Sequence, residues 1–142
     1  MSSTYLDFNR ALIKDLREHG GKATSGPFVG RDVMIVTSKG AKSGEKRENP
    51  VAFSRDGDNY VIVASKGGAP TNPNWYHNLL AHPEVTVEVG DEKFKALARV
   101  AEDEHYERLY QNHAKNMPGF NEYRQKTTRK IPVLILERID PK

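Results

Sequence analysis

The 142-residue chain contains no cysteine. Thiolate catalysis, iron–sulfur clusters and cysteine-based zinc sites are therefore excluded, and no disulfide can stabilise the fold. A domain of this length buries enough apolar surface to fold without such a link. The sequence also has no apolar run long enough to span a bilayer and no Asn-x-Ser/Thr glycosylation site. Together these absences predict one soluble domain in the cytoplasm.

Motifs for several common chemistries are absent as well. The sequence has no P-loop, no Gly-x-Gly-x-x-Gly turn, no His-Glu-x-x-His and no Gly-x-Ser-x-Gly. Its five histidines are scattered, and His105 and His113 are the pair that would share a helix face. We therefore expect no metal site, and we expect surface or packing roles for the histidines.

What the chain does have is a cluster of cations between Lys39 and Arg47. The net charge is +3, and this segment alone carries Lys39, Lys42, Lys46 and Arg47 against Glu45. Ammonium and guanidinium groups on one loop favour an anionic ligand such as a phosphate or a polycarboxylate. The alternative is an ordinary solvated turn between two strands.

Hydrophobic periodicity predicts three helices and six strands. The helices are Thr4–His19, Asn74–Ala81 and Glu102–Asn116, and Phe120–Arg129 is expected to be a connector with at most a helical turn. We expect Asn72 to cap the second helix, with Pro73 in its first position. The predicted strands are Val33–Ser38, Arg47–Phe53, Tyr60–Ser65, Val85–Val89, Lys93–Ala101 and Ile131–Ile139. Their hairpin spacing favours a small antiparallel barrel in an α+β chain over a parallel sheet.

The N-terminal helix is amphipathic and lies outside the predicted barrel. We divide the chain into residues 1–30, which form this helix and a loop, and residues 31–142, which form the barrel domain. The apolar face of the helix has three candidate docking partners: the domain itself, a second subunit, or an acidic membrane surface at the inner face of the cell membrane. Docking on protein is the simplest of the three.

Three neighbouring features together predict a ligand pocket. The loop from Lys42 to Arg47 offers cations, a hydroxyl and backbone amides that suit a phosphate. The strand that ends at Ala64 is followed by small residues, where a flat ring can approach the backbone. Trp75 and Asn78 lie on the next helix and add an aromatic wall and an amide. The set suits a phosphorylated, planar cofactor.

At these positions the sequence resembles the deazaflavin-dependent nitroreductase family of actinobacterial oxidoreductases. The resemblance rests on Gly40–Pro50, Val63–Ala69, Asn72–Leu79 and Arg129–Ile135, in the same order and spacing. It implies a six-stranded antiparallel split β-barrel, similar to flavin mononucleotide (FMN)-binding barrels. It also implies binding of coenzyme F420, an 8-hydroxy-5-deazaflavin with an oligoglutamate tail, and hydride transfer to an electron-poor acceptor such as a quinone, a conjugated enone or a lactone.

The resemblance also assigns roles to residues of this chain. Lys42, Ser43 and Arg47 would hold the coenzyme's phosphate and oligoglutamate tail, and Ser65 and Tyr123 would be the catalytic hydrogen-bonding groups. The implied substrate pocket comprises Ala52, Met117, Phe120 and Tyr123. The implied cofactor-contacting set comprises Ala41, Lys42, Ser43, Arg47, Glu48, Asn49, Pro50, Val51, Ala52, Val63, Ala64, Ser65, Lys66, Asn74, Trp75, Tyr76, His77, Asn78 and Phe120.

This chain departs from the family members that reduce bulky nitroimidazoles. Those members carry tyrosines where this sequence has Ala52, Met117 and Phe120, and of that aromatic set Tyr123 is retained. We therefore expect quinones or enones as acceptors, with nitroaromatics disfavoured.

Other functions stay open at this stage. One is an FMN-dependent reductase on the same barrel, and another is a non-catalytic carrier or sensor of a hydrophobic or tetrapyrrole ligand. Nucleic-acid binding ranks last, because Glu45, Glu48, Asp56 and Asp58 interrupt the basic face. The partner we expect is a small-molecule acceptor, and the sequence allows either a monomer or a homodimer.

Overall fold

A computed structural model of the chain describes residues 3–26, 28–65, 72–117 and 119–139. The helices in this part are α1 (Ser3–Glu18), α2 (Asn74–Ala81), α3 (Asp103–Asn116) and α4 (Gly119–Lys126). The strands are β1 (Val33–Lys39), β2 (Lys46–Ala52), β3 (Ser54–Asp56), β4 (Asn59–Val63), β5 (Glu84–Val89), β6 (Glu92–Val100) and β7 (Val133–Arg138).

The strands form one antiparallel sheet in the order β2-β1-β5-β6-β7-β4-β3. Its two outer strands, β2 and β3, are separated in the chain by Phe53 alone. A flat sheet of this order would place them a full sheet-width apart, so the sheet must curl until its ends approach each other. The antiparallel α+β barrel class predicted from the sequence is confirmed, in the form of a curled half-barrel.

The strands near α3 are apolar on both sides because both faces of the sheet are covered. In β4, Tyr60 and Ile62 point into the barrel core, whereas Val61 and Val63 pack under α3. Strand β7 alternates in the same way, with Leu134 inside and Ile135 outside. This two-sided burial explains why these strands appear as continuous apolar runs in the sequence.

Helix α1 docks on the outer face of β1. Its Leu12, Ile13 and Leu16 are buried in one cluster with Val33 and Ile35. Docking on the domain is thus the arrangement found for this helix. No helix in the described ranges is both long and apolar enough to cross a membrane. The division of the chain at residue 30 stays a prediction.

Two elements differ from the sequence-based expectation. The sheet has a seventh strand, because Ser54–Asp56 pairs with β4 around a turn in which Gly57 has a φ of 62°. The expected connector after α3 contains the two-turn helix α4. Phe120 and Tyr123 lie three residues apart on α4, and both pack against the cluster under α3. Tertiary packing therefore stabilises α4 beyond what its own residues would predict.

His113 of α3 is fully buried between β3 and α4. Its Nδ1 lies 2.9 Å from the Ser54 hydroxyl, and the Phe120 ring meets the imidazole edge-on at 4.5 Å between centroids. Its Nε2 has no hydrogen-bond partner among the described residues. Burial lowers the pKa of His113 from its usual value to about 4, so the native protein holds a neutral imidazole.

We expect His113 to make stability depend on pH. In the unfolded chain His113 takes up a proton near the ordinary histidine pKa of about 6.5, whereas in the native protein the ring stays neutral down to about pH 4. The free energy of unfolding therefore decreases as the pH is lowered through this window. Between about pH 7 and pH 5 this contribution is about 2 kcal/mol. Urea unfolding at both pH values should therefore show a smaller loss for His113→Asn than for wild type. His105→Asn, on the exposed side of the same helix, is the control, and equal losses in all three proteins would contradict the prediction.

Candidate functional site

A cleft of about 740 Å³ lies between α1, β2 and α2. Its walls are Asn9, Arg10 and Ile13 of α1, Lys46, Arg47, Glu48 and Asn49 of β2, and Pro73, Asn74, Trp75 and Asn78 at and before α2. A volume of this order accommodates a cofactor-sized ligand. The cleft thus brings Lys46 and Arg47, at the end of the basic segment, together with the aromatic helix, whereas Lys42 and Ser43 are not among its lining residues.

The basic loop that precedes β2 is folded on itself. The Gly40 amide donates to the Glu45 carbonyl at 2.7 Å, and Gly44 closes the turn with a φ of 72°. A Cβ at residue 40 would lie 2.6 Å from the Ser43 hydroxyl oxygen. The positive φ therefore favours glycine at residue 44, whereas a side chain at residue 40 would require the Ser43 hydroxyl to move.

The cations of the loop lie on its exposed surface. Ser43 Oγ accepts hydrogen bonds from the Glu45 amide at 3.2 Å and from Arg47 Nη2 at 3.3 Å. The ion pair between Arg47 and Glu45 is long, at 3.7 Å, and Lys42 is exposed. Exposed pairs of this kind are weak, so the guanidinium can exchange its contact with Glu45 for an anionic ligand.

A hydrogen bond joins the basic loop to α2. The Ala41 amide donates to Asn78 Oδ1 at 2.9 Å, and the Asn78 side chain is buried. Trp75, one helical turn earlier, is half-buried against the barrel core and faces the cleft. This hydrogen bond therefore fixes the loop relative to the helix.

The acid in the cleft wall, Glu48, is paired with Arg17 of α1 at 2.7 Å and with Lys46 at 3.7 Å. Arg17 also contacts Glu88 of β5 at 2.7 Å, and this guanidinium lowers the pKa of Glu88. Because Glu48 is neutralised in this way, the rim formed by Arg10, Lys46 and Arg47 has an excess of positive charge.

Several predicted contact residues point elsewhere. The side chains of Val51 and Ala64 belong to the barrel core, and Val63 packs under α3. His77 is exposed on α2, and the Tyr76 ring packs against the barrel core. None of these side chains is among the lining residues given above for the cleft. In β2, residues 46–49 line the cleft, whereas Val51 of the same strand faces the barrel core. Lys66 lies outside the described residues.

The predicted substrate residues form a separate group. Phe120 and Tyr123 contact each other at 5.1 Å between ring centroids and pack on the cluster under α3, where Met117 ends that helix and is buried. The structure thus brings these three together, and none of them is among the residues that line the cleft. Ala52 ends β2, half-buried, beside Phe53.

Ser65 and Asn72 are joined by Arg129. Its Nη2 donates to the Ser65 carbonyl oxygen at 2.7 Å, and its Nη1 donates to Asn72 Oδ1 at 2.7 Å and to the Ala64 carbonyl oxygen at 3.3 Å. The prediction that Asn72 caps α2 is wrong. Pro73 occupies the cap position, where its side chain has no acceptor to offer, and the Asn72 oxygen accepts from Arg129.

Sequence reasoning missed the contribution of α1 to the cleft. Asn9, Arg10 and Ile13 are helical residues whose periodicity gives the helix but not the surface on which it docks. The contacts of Arg129 were missed because this residue is 57 positions from Asn72 in the chain, too far for a local pattern to reveal them. The one available signal was the cationic character of Arg10 and Arg129.

The residues present fit a phosphorylated, planar cofactor. Cations at the rim suit phosphate and carboxylate groups, and the half-buried indole of Trp75 offers an apolar wall for a ring. Glu48 is the acid among the described residues that line this cleft, and its contacts with Arg17 and Lys46 reduce its repulsion of a bound anion.

Comparisons with known proteins identify relatives of this chain. The chain is 41% identical to an F420H(2)-dependent quinone reductase of Mycobacterium tuberculosis over 108 residues, which are 74% of this chain and 72% of the relative. The solved structure of an F420-H2 dependent reductase, FDR-A, has a TM-score of 0.70 and 41% identity, and covers 75% of this chain and 95% of its own. A structure described as a domain-swapped dimer has a TM-score of 0.72 and 33% identity, and covers 96% and 100%.

The family profile spans most of the chain. Residues 8–138 match the family described as F420H(2)-dependent quinone reductase. This match and the 41% identity to the mycobacterial relative confirm the resemblance drawn from the motifs. The chain belongs to the F420H(2)-dependent quinone reductase family.

Proposed function

We propose that this protein is an F420H2-dependent reductase that transfers a hydride to a quinone. The observation that carries the proposal is the cleft between α1, β2 and α2, whose lining combines the cations Arg10, Lys46 and Arg47 with the indole of Trp75. A cofactor with a flat ring and a polyanionic tail complements both halves of that cleft. The names of the relatives, which specify F420H2 and quinones, support the same reading.

The binding roles follow from where the side chains lie. Lys42, Ser43 and Arg47 are exposed on the folded loop, and we assign them to the phosphate and the oligoglutamate tail. Asn49, Asn74 and Trp75 line the cleft and are assigned to the remainder of the coenzyme, together with Asn78. For residues such as Val51 and Val63, whose side chains are buried elsewhere, a cofactor contact would be made by backbone atoms.

The catalytic demand on the side chains is modest. The bound, reduced coenzyme supplies the hydride, so the protein must hold the acceptor close, exclude water and stabilise developing charge on the acceptor oxygen. We assign Ser65, buried just after β4, to donate a hydrogen bond to that oxygen through its hydroxyl or its amide. Tyr123 is assigned as a second polar group, half-buried on α4.

The proposed acceptors are quinones and, on the same chemistry, conjugated enones or lactones. Ala52, Met117 and Phe120 replace the tyrosines expected of nitroimidazole-reducing relatives, and this gives the region apolar character without extra hydroxyl groups. An apolar surface favours quinone rings over polar nitroimidazoles.

Assembly and location are also proposals. The relative described as a domain-swapped dimer supports a homodimer for this chain. We place the protein in the cytoplasm. The burial of Leu12, Ile13 and Leu16 against β1 favours docking of α1 on the domain over contact with the membrane.

The cofactor assignment predicts a binding result. Oxidised F420, followed by its own fluorescence, should bind wild type, and Lys42→Ala and Arg47→Ala should each raise Kd about tenfold, because a charge-assisted contact is lost. Added salt should weaken F420 binding by wild type more than F420 binding by either variant. Lys115→Ala, at the exposed end of α3, is the control and should bind like wild type.

Two results would contradict this assignment. Absence of F420 binding by wild type would redirect the search to FMN or to a non-catalytic ligand. If F420 binds tightly and neither the two substitutions nor salt changes its Kd, the cofactor assignment stands but the basic loop does not contact the coenzyme.

The acceptor assignment predicts a preference. With reduced F420 as donor, kcat/KM for menadione should exceed that for a nitroimidazole by about tenfold or more, since the apolar region gains more from the larger apolar ring. Restoring aromatic hydroxyl groups with Phe120→Tyr and Met117→Tyr should narrow the difference. Faster turnover of the nitroimidazole by wild type would refute the preference.

A further inference from the structure

Arg129 lies between α4 and β7, and its guanidinium reaches two segments that are far from it in the chain. It donates to the carbonyl oxygens of Ala64 and Ser65, which follow β4, and to the side chain of Asn72, which precedes α2. The two shortest of these contacts are both 2.7 Å. One side chain thus bonds both to the residues that follow β4 and to the residue that precedes Pro73 and α2.

The guanidinium supplies donors that the sheet does not. Strand β4 ends at Val63, and the Ala64 amide still bonds to the Pro132 carbonyl oxygen at 2.9 Å. The carbonyls of Ala64 and Ser65 lie beyond the register of β4 with β7, and Arg129 donates to both. A planar fork with several N–H groups can reach three acceptors in different directions, which a lysine ammonium on the same stem cannot reproduce.

The side chain of Asn72 bonds to Arg129 and does not cap α2. An asparagine just before a helix ordinarily caps the first turn, but α2 begins without a side-chain cap and the Asn72 oxygen is bonded to Arg129. The start of α2 is therefore fixed by a long-range contact in place of a local one. Such a substitution of partners makes the helix position depend on Arg129.

The contacts continue from Asn72 into the cleft. Helix α2 carries Trp75 and Asn78 in the cleft wall, and Asn78 accepts from the Ala41 amide of the basic loop. On the other branch, the backbone of Ser65 is held directly by the Arg129 guanidinium. Arg129 is thereby linked both to the residue assigned to the acceptor and to the helix assigned to the coenzyme.

We propose that Arg129 is a positioning residue of the active site, which sets the backbone of Ser65 and the start of α2 relative to each other. The proposal deepens the reductase function and rests on it. Loss of the fork lets the two segments shift independently, so the acceptor and the coenzyme are held less well aligned. Misalignment of reacting groups lowers kcat, and displacement of α2 weakens coenzyme binding.

The test uses five variants of the full chain. Arg129→Met removes the fork while keeping much of the apolar stem, and Arg129→Lys keeps the charge. Asn72→Leu removes the acceptor, and Asn72→Asp keeps an acceptor and adds a negative charge beside the guanidinium. Arg99→Met is the matched control, because Arg99 is an exposed arginine of β6 that pairs with Glu137.

The expected pattern separates positioning from simple stability. Arg129→Met should lower kcat for menadione about tenfold and raise Kd for oxidised F420 severalfold, with KM for menadione little changed. Arg129→Lys should remain close to Arg129→Met, because charge without the fork does not restore the contacts. Asn72→Asp should approach wild type, whereas Asn72→Leu should weaken F420 binding, and its effect should not add to that of Arg129→Met.

A second readout does not depend on activity. Amide hydrogen exchange should accelerate in residues 59–65 and 72–81 of Arg129→Met, measured with and without oxidised F420, and should be unchanged there in Arg99→Met. If Arg129→Met does not fold, the comparison of Asn72→Leu with Asn72→Asp carries the test by itself.

The outcomes distinguish the inference from the function beneath it. If wild type neither binds F420 nor reduces menadione, the proposed function fails, and the exchange result still decides whether Arg129 holds the two segments. If wild type is active and Arg129→Met matches Arg99→Met in kcat and Kd, the positioning role is overturned. Full restoration by Arg129→Lys would likewise overturn it, since charge alone would then suffice.

Discussion

The one-residue link at Phe53 is the constraint on which the rest of the structure depends. It joins the two outer strands of the sheet, so these strands can form only if the sheet curls. The Phe53 ring stacks on Tyr60 at 5.4 Å, and Tyr60 meets Phe94 edge-on at 5.6 Å between centroids. The same residue that forces the curl thus fills the interior that the curl creates.

The cleft follows from this curvature and from contacts between distant segments. Strand β2 ends the sheet on one side, and its outer surface is free to meet α1 and α2. Arg17 holds α1 to β2 and β5 through Glu48 and Glu88, while Asn78 and Arg129 hold α2. The cationic surface of the cleft is therefore assembled from the basic segment and from Arg10 of α1.

Much of the fold and part of the site could be predicted from the sequence. Continuous apolar runs such as Tyr60–Val63 indicated buried strands, and the spacing of the basic loop and Trp75 indicated one pocket, because both signals are local. Helix α4 and the bond of Asn72 to Arg129 could not be predicted, since each depends on partners far along the chain. Strand β3 pairs with its neighbour β4, but its three residues are too few to show a periodic pattern. Local propensity predicted that Asn72 would cap α2, but its side-chain oxygen instead accepts a charge-assisted hydrogen bond from Arg129.

Pro50 has a consequence for how two copies can associate. It lies within β2, an outer strand of the sheet, opposite Ile35 of β1. A proline has no N–H to donate, so the free side of β2 cannot offer an unbroken ladder to a strand from another molecule. Pairing of two sheets edge to edge along β2 is thereby discouraged.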